Sequence, residues 1–103
     1  MEDLGRFTEP AVLVLSSLAD GPKHGYAITQ DVRAMAGVDL GPGTLYGALA
    51  RLEHQGLIEA LPAEDRRHPY RLTAAGASAL KQRLDALERV ARTGLRRLRG
   101  APA

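Results

Sequence analysis

The side chains best equipped for chemistry in this chain are cationic and hydroxylated. The stretch GPGTLYGALARLEHQGLIEA, residues 41 to 60, opens a helix on Gly41, Pro42 and Gly43, sets Thr44 and Tyr46 in its first turns and places Arg51 further along. Arg66 and Arg67 follow side by side in the polar run PAEDRRHP at 62 to 69. Guanidinium groups, hydroxyls and the unpaired amides of a helix N-terminus all suit anions, phosphate oxygens above all. Arginine can also read a guanine edge. The plain alternative for GPGT is a tight helix opening that serves packing alone.

Other chemistries find no constellation. The chain has no cysteine, which removes disulfides, thiolate metal sites and cysteine nucleophiles. His24, His54 and His68 share no metal-ligand spacing, and His24 is expected to form local hydrogen bonds at a helix start. Ser16 and Ser17 lie in an apolar segment without the context of an activated nucleophile. Binding without catalysis, cofactor or metal is the expectation.

The elements that must position these residues read in order. At 103 residues the chain suits one core. Thr8 is a fair N-cap for a helix over 9–19, with Pro10 in its first turn and Ala11, Val12, Leu13, Val14, Leu15 and Leu18 apolar nearly all round, hence central. A second helix over 24–36 sets Tyr26, Ala27, Ile28, Val32, Met35 and Ala36 against a polar face at Thr29, Gln30 and Arg33, and stops at Gly37. The third spans 42–55 between Pro42 and Gly56; Leu45, Leu49 and Leu52 face the core, while Thr44, Gly47, Ala48 and Arg51 are read on or near the other face, with Tyr46 at its flank. LIEAL and YRLT form a hairpin with arginines near its tip and Pro69 at a strand end. Tyr26 and Tyr70 are expected to pack helix and wing. Thr73 starts a last helix that reaches about Arg99, where Leu80, Leu84, Leu87, Ala91, Leu95 and Leu98 make a seam close to the 3.5-residue period of paired helices. A second copy would cover that seam economically; folding back onto its own domain is the other solution.

The expected fold is therefore mainly α with a small β-hairpin: a winged helix-turn-helix over residues 1–73, then a long C-terminal dimerisation helix and basic tail over 74–103. In such a module the third helix enters the major groove and the hairpin touches the flanking backbone.

Charge divides along the chain. Residues 1–65 carry four cations against ten acids, a net −6, whereas residues 66–103 carry ten cations against Asp85 and Glu88, a net +8. Because screening acts over about 8 Å at physiological salt, the local excess matters more to a polyanion than the overall +2. A dimeric DNA-binding repressor is one reading; a winged-helix module whose seam and basic tail bind an acidic protein is the other. The longest apolar run, AVLVL at 11–15, is far short of a membrane span, and MEDLGR lacks the basic start of a secretory signal, so a cytoplasmic location is expected.

HGYAI at 24–28, GPGTLYGALARLEHQGLI at 41–58 and RRHPYRLTAAG at 66–76 resemble, in order and spacing, the PadR family of bacterial transcription regulators, and the single C-terminal helix is similar to its smaller subfamily. The resemblance implies a homodimeric repressor of double-stranded operator DNA, probed through pseudo-palindromic half-sites and responsive to a small-molecule effector. It puts Gly43, Thr44, Tyr46 and Arg51 on the recognition helix and Arg66 and Arg67 in the wing. Gly41 stands where the family often has serine, Gly47 where proline is common, and the last helix has no tryptophan.

Overall fold

The structure, a computed structural model, describes residues 9–100. Its elements run α1 (Pro10–Leu18), α2 (Gly25–Ala36), α3 (Pro42–His54), β1 (Ile58–Ala60), β2 (Tyr70–Leu72) and α4 (Ala74–Gly100). Thr8, the expected cap of α1, lies outside the described residues; Glu9 flanks Pro10 in extended conformation without a side-chain cap.

α1 is the central rod, as its all-round apolar character demands. Val12, Leu13, Val14, Leu15 and Leu18 are buried, and α2, α3, α4 and β2 all pack on it. Ser17 is buried with them, and its hydroxyl donates to the Asp31 carboxylate at 2.7 Å. The Lys23 ammonium lies 4.0 Å from the Asp31 carboxylate and donates to the Ser17 carbonyl, which ties the α1–α2 connection to both helices, and it donates to Asp20 as well. That hydrogen bond, with the Lys23 charge behind it, holds the Asp20 carboxyl below its ordinary pKa.

α2 buries a narrower stripe than its sequence suggests. Gly25, Ile28 and Val32 are inside, while Tyr26 and Met35 stand 67% and 47% exposed. Among the described residues the main packing partners of this helix are α1 and, less extensively, α3, and the wider apolar arc lies away from both. Gly37 ends it at φ 67°, where a side chain would be strained, and its amide donates to the Arg33 carbonyl.

α3 buries Leu45, Leu49 and Leu52 as expected, but also Ala48, which is fully inside. At 100° per residue Ala48 lies within about 60° of the leucine stripe, and its small side chain fits the close approach of α1.

β1 and β2 pair antiparallel in the register Ile58 with Leu72, Glu59 with Arg71 and Ala60 with Tyr70. Pro69, as expected at a strand end, supplies only its carbonyl, to the Leu61 amide. Lys23 adds a one-residue third strand, exchanging both backbone hydrogen bonds with Tyr70. The hairpin is thereby fixed to the start of α2.

Thr73 joins hairpin to α4. Its hydroxyl accepts from the Gly76 amide at 3.0 Å and donates to the Gly56 carbonyl at 2.7 Å. Thr73→Ala removes both bonds and should lower unfolding stability by about 1 to 2 kcal/mol in a urea titration. An unchanged midpoint would show that water replaces both bonds without loss.

Leu80 differs from the rest of the seam. It is buried in this chain's own core, packed with α1, and so does not belong to a free surface. Beyond it Leu84, Leu87, Leu95 and Leu98 are 39% to 75% exposed, as is Val90 at 70%, on a helix that runs unbroken through Gly94.

Candidate nucleic-acid interface

Hairpin and helices converge on one groove. His24, Gly25 and Tyr26 at the start of α2, Tyr46 on α3, and Arg66, Arg67, His68 and Tyr70 of the wing line a depression of about 650 Å³. Three of the six sequence-predicted DNA-binding residues, Tyr46, Arg66 and Arg67, therefore line one groove.

Local chemistry sets the wing arginines. Glu64 and Arg67 exchange backbone hydrogen bonds of 2.7 and 2.9 Å around Asp65 and Arg66, which adopt φ values of 50° and 68°. Two left-handed residues between paired strands make the tight turn whose twist suits a hairpin, and glycine is the usual occupant of its second position. Arginine there carries a steric cost of about 1 to 2 kcal/mol. Arg66→Gly should consequently be no less stable than the parent in thermal unfolding, while losing affinity for DNA. A clear loss of stability would assign the Arg66 side chain a role in folding instead.

The rest of the groove combines ring faces with polar atoms, some committed, as the Tyr26 hydroxyl is in accepting from Gln30 Nε2 at 3.0 Å, and some not. His68 Nδ1 lies 3.0 Å from the Leu61 carbonyl, which places the proton of the neutral ring on that nitrogen. His24 Nδ1 is the one buried side-chain nitrogen or oxygen among the described residues that finds no hydrogen-bond partner. Burial, reinforced by the nearby negative charges of Glu53 and ionised Tyr46, raises the Tyr70 pKa above its ordinary 10.0. Its hydroxyl stays protonated at neutral pH and can donate. Arg71, by contrast, is spent on Glu59 across the hairpin.

The opening of α3 is bare. Gly41 is extended with no side-chain cap, Gly43 and Thr44 are exposed, and no acid occupies the first turn. Among the described residues nothing outside the adjoining backbone comes within 4 Å of where a Cβ would stand on Gly41 or Gly43, so the space before the helix is open. Positive dipole, unpaired amides and the Thr44 hydroxyl can meet an anion there.

Arg51 stands apart from the groove. It lines a second depression with Glu9, Leu15, Gln55, Ala79 and Arg83, between α1, α3 and α4. Its guanidinium lies back along α3, 3.6 Å from the point a Cβ on Gly47 would occupy.

Sequence reasoning missed five members of the groove: Gly25 and His68 had no assigned role, His24 and Tyr26 were read as a helix start and as packing, and Tyr70, which does pack against the core as expected, lines the groove as well. HGY at the start of α2 and RRHPY in the wing carried the signal, but the Lys23–Tyr70 bridge that brings those segments together exists only in the folded chain.

Three short helices, a hairpin and a long helix, with the hairpin seated beside the second and third helices, make this a winged helix-turn-helix protein. The chain belongs to the transcriptional regulator PadR-like family, whose model matches residues 14–82. It is 42% identical to the transcriptional regulator Rv3488 of Mycobacterium tuberculosis over 82 residues, 77% of this chain and 76% of that one. It is also 45% identical over 85 residues to an uncharacterized 37.1 kDa protein in transposon TN4556 of Streptomyces fradiae; the match takes in 82% of this chain but only 25% of that protein's length. A transcriptional regulator from Clostridium thermocellum superposes with a TM-score of 0.78 at 29% identity, covering 93% of this chain and 95% of the other. The family is one of regulators, not enzymes. Among the described residues no cluster of His, Cys, Asp or Glu could hold a metal ion, and no helix is long and apolar enough to cross a membrane.

Proposed function

We propose that this chain is a cytoplasmic, homodimeric repressor that binds double-stranded operator DNA through α3 and the wing. The observation that carries the reading is the shared groove, which gathers Tyr46, Arg66 and Arg67 beside the open N-terminus of α3. In it the wing arginines and the Tyr46 hydroxyl take phosphate oxygens, Gly43 lets the backbone approach closely, and Thr44 adds a donor. Arg51 serves as a longer-range phosphate or base contact from the far end of the helix.

The DNA-binding unit comprises residues 1–73 and the dimerisation unit 74–103, anchored to the first through Gly76 and Leu80. Leu84, Leu87, Ala91, Leu95 and Leu98 form the pairing seam, supported by the exposure of their large side chains on a helix that outruns the core. Two recognition helices so joined address pseudo-palindromic half-sites about one helical turn apart. A small apolar effector held between the paired helices releases DNA by favouring another protomer spacing.

Affinity for DNA from its own promoter region, followed by fluorescence anisotropy against salt, tests the reading. With about four phosphates met per protomer, the log-log slope of a dimer should be near −7, at about −0.9 per phosphate. A slope near zero, or no binding by a folded dimer, would direct the search to an acidic protein partner.

A further inference from the structure

We infer that Gly25 is a positioning residue for the interface: it is the seat on which the Tyr46 hydroxyl rests. A Cβ on Gly25 would stand 3.0 Å from the Tyr46 hydroxyl oxygen, and 3.4 Å from both Tyr46 Cζ and Leu45 Cδ2. Contacts of 3.4 Å are ordinary, so the hydroxyl alone is crowded.

Nothing else about position 25 calls for glycine. It is the first residue of α2, with no positive φ, and glycine is among the poorest helix formers. Alanine would suit the backbone better. What glycine provides is room: Tyr46 crosses from α3 to lie over the first turn of α2, where the amides have no intrahelical acceptor. There its hydroxyl faces the same groove as Arg66 and Arg67.

The two sides of this contact differ in stiffness. Gly25 is buried in the α2 backbone, whereas Tyr46 is 56% exposed and can rotate outward. A methyl group at position 25 therefore moves the ring and leaves the fold in place. The displaced hydroxyl no longer lies where a phosphate shared with the wing arginines would be held. The functional part of this inference rests on the groove being the DNA interface.

Four proteins decide it: the parent, Gly25→Ala, Tyr46→Phe and the double variant, each measured for promoter-DNA affinity by anisotropy and for ring position by NMR of labelled tyrosine. In Gly25→Ala the Tyr46 resonances should shift, the melting temperature should hold, and affinity of the dimer should fall on the order of a hundredfold, about tenfold for the hydrogen bond to a charged group lost in each protomer. In the Tyr46→Phe background, where no hydroxyl is left to crowd, the same Gly25→Ala change should cost less than about twofold in affinity. Equal losses in both backgrounds, or a Gly25→Ala variant that binds as the parent does, would overturn the positioning role and leave the interface standing. A parent that binds no promoter DNA would overturn the interface and this role together.

Discussion

Gly76→Ala is expected to destabilise the protein by at least about 3 kcal/mol, and a domain of this size commonly has only 5 to 15 kcal/mol in total. A Cβ on Gly76 would lie 1.9 Å from the Leu57 carbonyl oxygen and 2.9 Å from both the Leu57 carbonyl carbon and Leu72 Cδ1. Backbone cannot yield as a side chain can. The Leu57 carbonyl is itself held by the Thr73 amide at 3.1 Å, so relief requires α4 to lift off the hairpin. The first turn of α4, the wing and the end of α3 would separate together. Gly94→Ala is the control, since among the described residues nothing beyond the helix's own backbone lies within 4 Å of its Cβ position and the backbone is helical. That change should raise stability by about 1 kcal/mol. Denaturant unfolding of the two variants gives the comparison, and a Gly76→Ala protein as stable as the parent would mean that hairpin and helix pack more loosely than described.

The second large effect concerns the leucine seam. Leu84→Asp with Leu87→Asp should convert a dimer to a folded monomer and weaken operator binding by two or more orders of magnitude. Within one chain these side chains are 41% and 39% exposed, so aspartate there costs the isolated protomer little. In a paired seam the same change buries four carboxylates close together, at several kcal/mol for each buried charge. Affinity falls because two half-sites are no longer bound by one molecule. Sedimentation equilibrium reads the mass and circular dichroism the retained helix. A variant that remains dimeric would place the protomer contact elsewhere.

How much of this was visible in the residues depends on whether the signal is local. The bounds of α3 were legible because Pro42 and Gly56 act through their own backbone geometry, and Gly56 does adopt φ 76°. Thr73 was legible as a helix start for the same reason. Ala48 was misread because a methyl group contributes little to hydrophobic periodicity, and only the position of α1 shows how wide the buried arc of α3 is. Tyr26 and Met35 erred in the opposite sense, apolar in type but facing no neighbour. Leu80 continues the spacing of Leu84 and Leu87, so periodicity could not separate the part of the helix that closes the core from the part that outruns it. The arginines of the wing were found from composition and turn signals. Their meeting with Tyr46, His24 and Tyr70 was not, because it depends on the bridge between Lys23 and Tyr70, 47 residues apart in number and joined only by folding.

The most direct test of DNA binding through the wing is promoter-DNA anisotropy at several salt concentrations, with the parent beside the double variant Arg66→Ala and Arg67→Ala. If each arginine meets one phosphate, the dimer loses four contacts and the log-log slope should shrink by about 3.6, with affinity falling at every salt concentration. A double variant that stays folded and dimeric yet keeps the parent's affinity and slope would contradict the assignment of the wing groove as the DNA-binding surface.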